Sequence, residues 1–189
     1  KTVERAEGTF HHGDRQIDLV DLPGTYSLAA QSLEEVVARD YILSGEPDVV
    51  VNVVDTTNLE RNLNLTLQIL ELTDKVLVVL NLMDEVKKQG WKIDVESLQQ
   101  KLGVPVIPTV AVAGKGLDEM VDMIIKVALG KQVTNPVRVD YGVTVQGYVN
   151  KLEADLASTG LKRRRRWIAL RLLEDDPEMT ESFRKGDLS

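Results

Sequence analysis

Apolar positions follow two different periods along the chain. β-Branched runs at 48–54 and 75–80 predict strands buried on both faces, and 104–107 predicts a further strand. Between the first two, Leu59, Leu63, Leu67 and Leu70 fall at helical spacing and predict a helix over 58–72. Residues 95–102 and 116–129 also read as helices, closed by Gly103 and Gly130. Nearer the start, 9–17 reads as two strands joined by a turn at Gly13-Asp14, the second running through 17–20 into Asp21. Pro23-Gly24 stops that strand. Residues 27–43 then read as a helix or helix-like switch segment, broken at 44–47.

Strands alternating with helices imply an α/β fold around a mainly parallel sheet. Ligands of such sheets sit at the carboxyl ends of the strands. Asp21, Asn81 and the loop 110–116 all fall at such ends. The pattern changes near 131–136. Beyond it only helices are predicted, at 143–157, 164–173 and 178–185. The expected division is a main domain over 1–132 and a small helical subdomain over 133–189.

Composition narrows the function. Of 189 residues, 43% are hydrophobic, enough for a buried core. Cysteine is absent, which excludes disulfides and thiolate metal sites. Residues 1–133 carry 13 Lys/Arg against 21 Asp/Glu, net −8, whereas 134–189 carry 10 against 9, net +1. An acidic main domain argues against nucleic acid as a partner. No apolar run approaches the roughly 18 residues of a membrane span. The polar start shows no signal peptide. Such a chain reads as soluble, or as the cytosolic piece of a membrane protein.

Three short motifs carry chemistry. Asp21-Leu22-Pro23-Gly24 places a carboxylate that can reach Mg²⁺ through water, and a glycine whose N–H can approach a γ-phosphate. Asn81-Leu82-Met83-Asp84 places an acceptor-only carboxylate suited to the two adjacent donors of guanine. Ala111-Val112-Ala113-Gly114-Lys115-Gly116 supplies backbone N–H groups for the guanine carbonyl. Each alone reads better as an ordinary turn or a helix cap. Their order and spacing are those of a GTPase. No G-x-x-x-x-G-K-[ST] occurs in the chain, so the phosphate-cradling loop and its strand are expected to precede Thr2.

The wording around these motifs resembles the ferrous iron transport protein B (FeoB) family of prokaryotic inner-membrane iron transporters. The resemblance rests on Thr2-Val3-Glu4-Arg5 with Gly8, on Asp21 through Leu28, and above all on Asn58-Leu59-Glu60-Arg61-Asn62-Leu63 with Leu65-Thr66-Leu67-Gln68. It implies a Ras-like P-loop GTPase sheet, lacking its first strand here, followed by a helical spacer similar to a dissociation inhibitor. It also implies binding of GTP and GDP with Mg²⁺, with a monovalent cation as a further candidate. Thr2 and Asp21 become the Mg²⁺ residues, Asp21 through water, and Gly24 the γ-phosphate sensor. Asn81, Leu82 and Asp84, with Val110, Ala111 and Val112, become the base pocket. Val110 stands where serine is usual, which removes one side-chain hydrogen bond.

Thr25 occupies the place of the glutamine that orients water in fast GTPases. Slow hydrolysis is therefore expected, with backbone groups near Thr25 positioning the water and the reaction coupled to Fe²⁺ uptake. The implied partners are guanine nucleotide and a transmembrane iron-permease portion of the same protein at the cytoplasmic face of the inner membrane. Small accessory Feo proteins and further copies of the chain are additional candidates. The rival readings are a nucleotide-sensing regulatory module without significant hydrolysis, and a soluble ribosome-assembly GTPase. His11-His12 reads as a solvated hairpin end, Glu34-Glu35 as a charged helix face, and the basic run 162–166 as a solvated helix start.

Overall fold

A two-residue turn closes the first pair of strands. β1 (Ala6–His12) and β2 (Arg15–Asp21) run antiparallel, with His12 opposite Arg15 and Ala6 opposite Asp21. Gly13 adopts φ 59 in the turn, a conformation that a side chain would strain. The computed structural model describes residues 6–29, 32–159 and 164–185. These divide into two compact units, 1–137 and 138–189.

The helix expected over 27–43 is shorter and later. α1 (Leu33–Ser44) starts where the Ser32 hydroxyl caps it, accepting from Glu35 N–H at 3.2 Å. Glu34 and Glu35 fall in its first turn, where negative charge meets the positive end of the helix dipole. Residues 25–29 are neither helix nor strand. Their polar side chains bond to nearby backbone instead, which competes with helix formation.

β3 (Val50–Asp55) leads through a 3-10 turn at Thr56–Asn58 into α2 (Leu59–Leu72). β4 (Val76–Asn81) leads into α3 (Met83–Lys88), a helix that periodicity is too short to reveal. α4 (Val95–Leu102), β5 (Val106–Pro108) and α5 (Leu117–Ala128) complete the unit. The three strands are parallel in the order β3-β4-β5, and Asp55 lies beside Asn81 at the carboxyl rim.

α5 sets Met120, Met123 and Ile124 against Leu77, Val79 and Ile107. Side chains alternate across a strand, so Asn52 and Val78 share the opposite face. There α2 packs, and Thr66 Oγ1 donates to Asn52 Oδ1 at 2.6 Å inside the core. Residues 76–80 of β4 are all 2% exposed or less. At about 1.5–3 kcal/mol per buried side chain, this one strand contributes on the order of 10 kcal/mol of gross stabilisation. β3 departs from the expectation of burial on both faces, because Val53 is 59% exposed. Val53 lies outside the core, although its register partner Val79 belongs to it and its neighbour Val54 is fully buried.

After α5 the chain stays on the first unit. Asn135 N–H donates to Gly103 O at 2.8 Å and Val137 N–H to Leu102 O at 2.9 Å. The second unit is helical, with α6 (Gly142–Ser158), α7 (Arg165–Leu173) and α8 (Pro177–Lys185). Val149 and Leu156 of α6 are buried, as are residues 167–170 of α7. The basic run is not simply a solvated helix start. Arg166 donates to Val139 O at 2.8 Å and to Gln146 Oε1 at 3.3 Å, binding α7 to the start of the unit. Lys162 and Arg163 lie outside the described residues. Among the described residues no helix is long and apolar enough to cross a membrane.

Candidate functional site

Asn81 ends β4 and ties the rim together. Its Oδ1 accepts the Ala111 N–H at 3.0 Å and the Thr109 hydroxyl at 3.2 Å, and its backbone oxygen accepts the Thr56 hydroxyl. One residue thus joins the ends of β3, β4 and β5, by its backbone oxygen to Thr56 after β3 and by its side chain to Thr109 and Ala111 after β5. Its amide oxygen is used between loops rather than as a helix cap.

Leu82 follows at φ 65 and ψ 31, left-handed and without glycine's freedom. For such a residue this costs about 1–2 kcal/mol. The turn starts α3 at Met83 and puts Asp84 in its first turn, with no side-chain cap bond. Neither Asn81 nor Asp84 therefore caps this helix. Asp84 Oδ1 is buried and has no hydrogen-bond partner. The other oxygen, Oδ2, is 3.6 Å from Lys88 Nζ. A buried carboxylate oxygen without a donor is costly unless a ligand supplies one.

The loop after β5 is closed on itself. Val110 and Lys115 exchange backbone hydrogen bonds at 3.1 and 3.2 Å. Gly116 at φ 79 leaves no room for a Cβ, which would sit 2.4 Å from Pro108 O. Within this loop the Ala111 N–H is committed to Asn81, whereas Val112 is 91% exposed.

Asp21 ends β2 in an exposed position. A Cβ on Gly24 would meet nothing within 4 Å, so the space beside its Cα is open. The Thr25 hydroxyl is engaged locally, donating to Ser27 O at 2.6 Å and accepting Ser27 N–H at 3.2 Å. Tyr26 stacks under Arg61 of α2, 3.9 Å from ring centroid to guanidinium carbon. A cleft of about 310 Å³ opens here, lined by Tyr26, Val53, Asp55, Arg61, Asn81 and Leu82 among others. The structure thus brings Asn81 and Leu82 to one cleft with Tyr26, two residues after Gly24. Thr2 lies outside the described residues.

Three contributors escaped the sequence reading. Thr56 and Thr109 hold Asn81, and both are buried. Asp55 accepts from Thr57 N–H and Oγ1 at 2.9 and 2.6 Å and from Asn58 Nδ2 at 2.9 Å. The Thr57 hydroxyl and then the Asn58 amide hold its carboxyl below the ordinary value. A polar residue ending a β-branched run was the available signal for Asp55. The hairpin end is not merely solvated: His12 Nε2 lies 3.0 Å from Asp122 Oδ1 of α5. No group of three or more metal-ligating side chains occurs among the described residues.

Comparison with known proteins agrees along nearly the whole chain. The family model described as ferrous iron transport protein B matches residues 1–124, and that of the FeoB cytosolic helical domain matches 141–189. The Fe(2+) transport protein A/Fe(2+) transporter FeoB fusion protein of Porphyromonas gingivalis is 45% identical over 184 residues, 94% of this chain and 22% of that protein. The Fe(2+) transporter FeoB of Escherichia coli is 42% identical over 93% of this chain and 23% of its own length. The chain therefore spans under a quarter of the curated relatives it matches. Among solved structures, the cytosolic domain of the Thermotoga maritima FeoB iron transporter in its apo form superposes with a TM-score of 0.89. It is 41% identical, covering 100% of this chain and 74% of that one. The same domain in its GMPPNP form gives the same TM-score, identity and coverage.

Proposed function

The chain belongs to the ferrous iron transport protein B family, and from that premise we propose that it binds GTP and GDP as a switch, hydrolyses GTP slowly, and sets the activity of an iron-permease portion of the full-length protein. The observation that carries the reading is the unpartnered, buried Asp84 Oδ1. Guanine offers a ring N–H and an exocyclic amino group side by side, and a carboxylate accepts both. Adenine presents no such pair. Asn81 holds the two loops that flank the base. With the Ala111 N–H committed to Asn81, the exposed Val112 supplies the next N–H along the loop for the guanine carbonyl.

Asp21 fits a hard cation as an exposed carboxylate at a strand end, and Thr2 is its partner ligand in this reading. Mg²⁺ when bound neutralises phosphate charge. Gly24 has open space beside its Cα; in this reading its N–H meets the γ-phosphate, so GTP orders the segment around it and GDP releases it. The regulatory alternative without significant hydrolysis has one observation in its favour: the Thr25 hydroxyl is bound to Ser27 and does not reach out for water.

Calorimetric titration of the protein at its natural length with GDP, ADP and GTP tests the reading, with single-turnover hydrolysis measured alongside. GDP and GTP are expected to bind at least tenfold tighter than ADP, with slow turnover. Equal affinity for GDP and ADP overturns it. Tight binding with hydrolysis no faster than in solution selects the regulatory alternative.

A further inference from the structure

Residues 25–29 follow Gly24 and have no backbone ladder of their own. Side chains satisfy their amides instead. Ser27 N–H donates to Thr25 Oγ1 at 3.2 Å and Ala29 N–H to Ser27 Oγ at 3.1 Å, both within the segment. Leu28 N–H donates to Gln68 Oε1 of α2 at 2.7 Å, and Ser27 Oγ reaches the same oxygen at 3.4 Å. Among the described residues, Gln68 is the hydrogen-bonded link between this segment and the rest of the fold. Seven residues earlier, on the same side of α2, Arg61 stacks on Tyr26. Leu28 itself is 2% exposed, so its N–H would be poorly repaid by water if Gln68 were lost.

We propose that α2 clamps the segment after Gly24 through Gln68 and Arg61, and that these positioning residues set the preference for GTP over GDP. The proposal rests on the nucleotide reading above. A segment without backbone pairing lies at the low end of local stability. Its ordered population then depends on the tethers that reach it from outside. Gly24 N–H meets the γ-phosphate from that ordered arrangement, and apparent GTP affinity scales with its population. GDP lacks the γ-phosphate and is indifferent to it. The Asn58–Gln68 phrase that marks the family thus has a physical role: it carries both halves of the clamp at one helix-face spacing.

The test compares Gln68→Met, which keeps length and removes the acceptor, with Gln68→Glu, which keeps an acceptor for Leu28 N–H. In the natural-length protein, affinities for GDP and a non-hydrolysable GTP analogue are measured for each variant. Amide hydrogen exchange at Leu28 is followed in parallel without nucleotide. Gln68→Met is expected to lower the analogue-to-GDP affinity ratio about five- to tenfold, as the loss of one hydrogen bond predicts. GDP affinity should stay within twofold, and Leu28 exchange should quicken. Gln68→Glu should restore both ratio and protection. Arg61→Met should lower the ratio by a smaller factor.

Equal losses for both nucleotides, or a Gln68→Glu variant that behaves like Gln68→Met, assign Gln68 a packing role and overturn the proposal. So does unchanged exchange at Leu28 in Gln68→Met. A wild type that binds neither nucleotide sinks the nucleotide reading and the preference for GTP with it, while the exchange data still decide whether the tether exists.

Discussion

At the scale of single residues, three carboxylates that end or follow strands differ in their surroundings, and the proposed function gives Asp84 and Asp21 different roles. Asp84 keeps one buried oxygen without a donor. Replacing it by Asn removes the charge and turns one acceptor into a donor. A hydrogen bond to a charged group is worth about 1.5–3 kcal/mol, so GDP should bind about ten- to hundredfold more weakly. Xanthosine diphosphate carries a carbonyl where guanine has its amino group, and should gain affinity from the new Asn donor. Calorimetry with both nucleotides decides the matter, and a parallel loss for both would remove Asp84 from the base pocket.

Asp21 is exposed, and the proposed function makes it a Mg²⁺ residue. Asp21→Asn should raise the Mg²⁺ concentration needed for half-maximal GTP binding by about tenfold, one lost charged contact. Its GDP binding in EDTA should stay at the wild-type level. Equal Mg²⁺ requirements in the two proteins would exclude the metal role.

Asp55 is a structural acceptor. Its carboxyl is held below its ordinary value because the Thr57 hydroxyl, and then Asn58, bond the ionised form. A depressed carboxyl stabilises the fold above its unfolded value and loses that contribution as pH falls through the folded value. The thermal midpoint of Asp55→Asn should therefore lie below wild type at pH 7. The gap should shrink from about pH 4 downward. A gap that is constant with pH would mean that the ionised form is not what matters.

At the scale of elements, the loop after β5 is held by geometry as much as by bonds. Gly116→Ala adds a Cβ 2.4 Å from Pro108 O at a backbone φ of 79. The conformation alone costs about 1–2 kcal/mol, and the contact forces Pro108 and Thr109 to move. A fall in Tm of roughly 2–4 °C per kcal/mol is expected for a chain of this size. Weaker GDP binding should accompany it, because Thr109 supports Asn81. Gly90→Ala is the matched control: φ is 75, but a Cβ there meets nothing within 4 Å. It should lower Tm less and leave GDP affinity unchanged. If both variants behave alike, the close approach at Gly116 is irrelevant.

Elements also divide into those that periodicity reveals and those that local chemistry overrides. α2, α5 and β4 carry clear apolar periods and appear close to their expected limits. α1 begins six residues later than 27, because Thr25 and Ser27 bond the backbone where a helix would have to start. α3 spans six residues, too few to display a period.

At the scale of the whole molecule, each compact unit holds its own apolar residues. Leu156 is buried in the second unit. Leu156→Ala should cost about 2–5 kcal/mol there. At temperatures where the first unit stays folded, GDP affinity should remain within twofold of wild type. Joint loss of both units in a single calorimetric transition would show that they unfold as one.

What the sequence determines by itself is the alternation of strand and helix, the strand-end positions of Asp21 and Asn81, and the family phrase from Asn58 to Gln68. Those features are local, set by periodicity and by residue type at fixed offsets. Tertiary structure alone decides what the polar atoms near them touch. Asn81 meets Ala111 across 30 positions, and Leu28 meets Gln68 across 40. Such pairs leave no periodic trace, because a hydrogen bond specifies only that two groups come within about 3 Å, not how far apart they stand in the chain. The buried, unpaired oxygen of Asp84 is of the same kind. Its residue type is plain in the sequence, while its lack of a partner follows from the turn at Leu82 and the helix it starts.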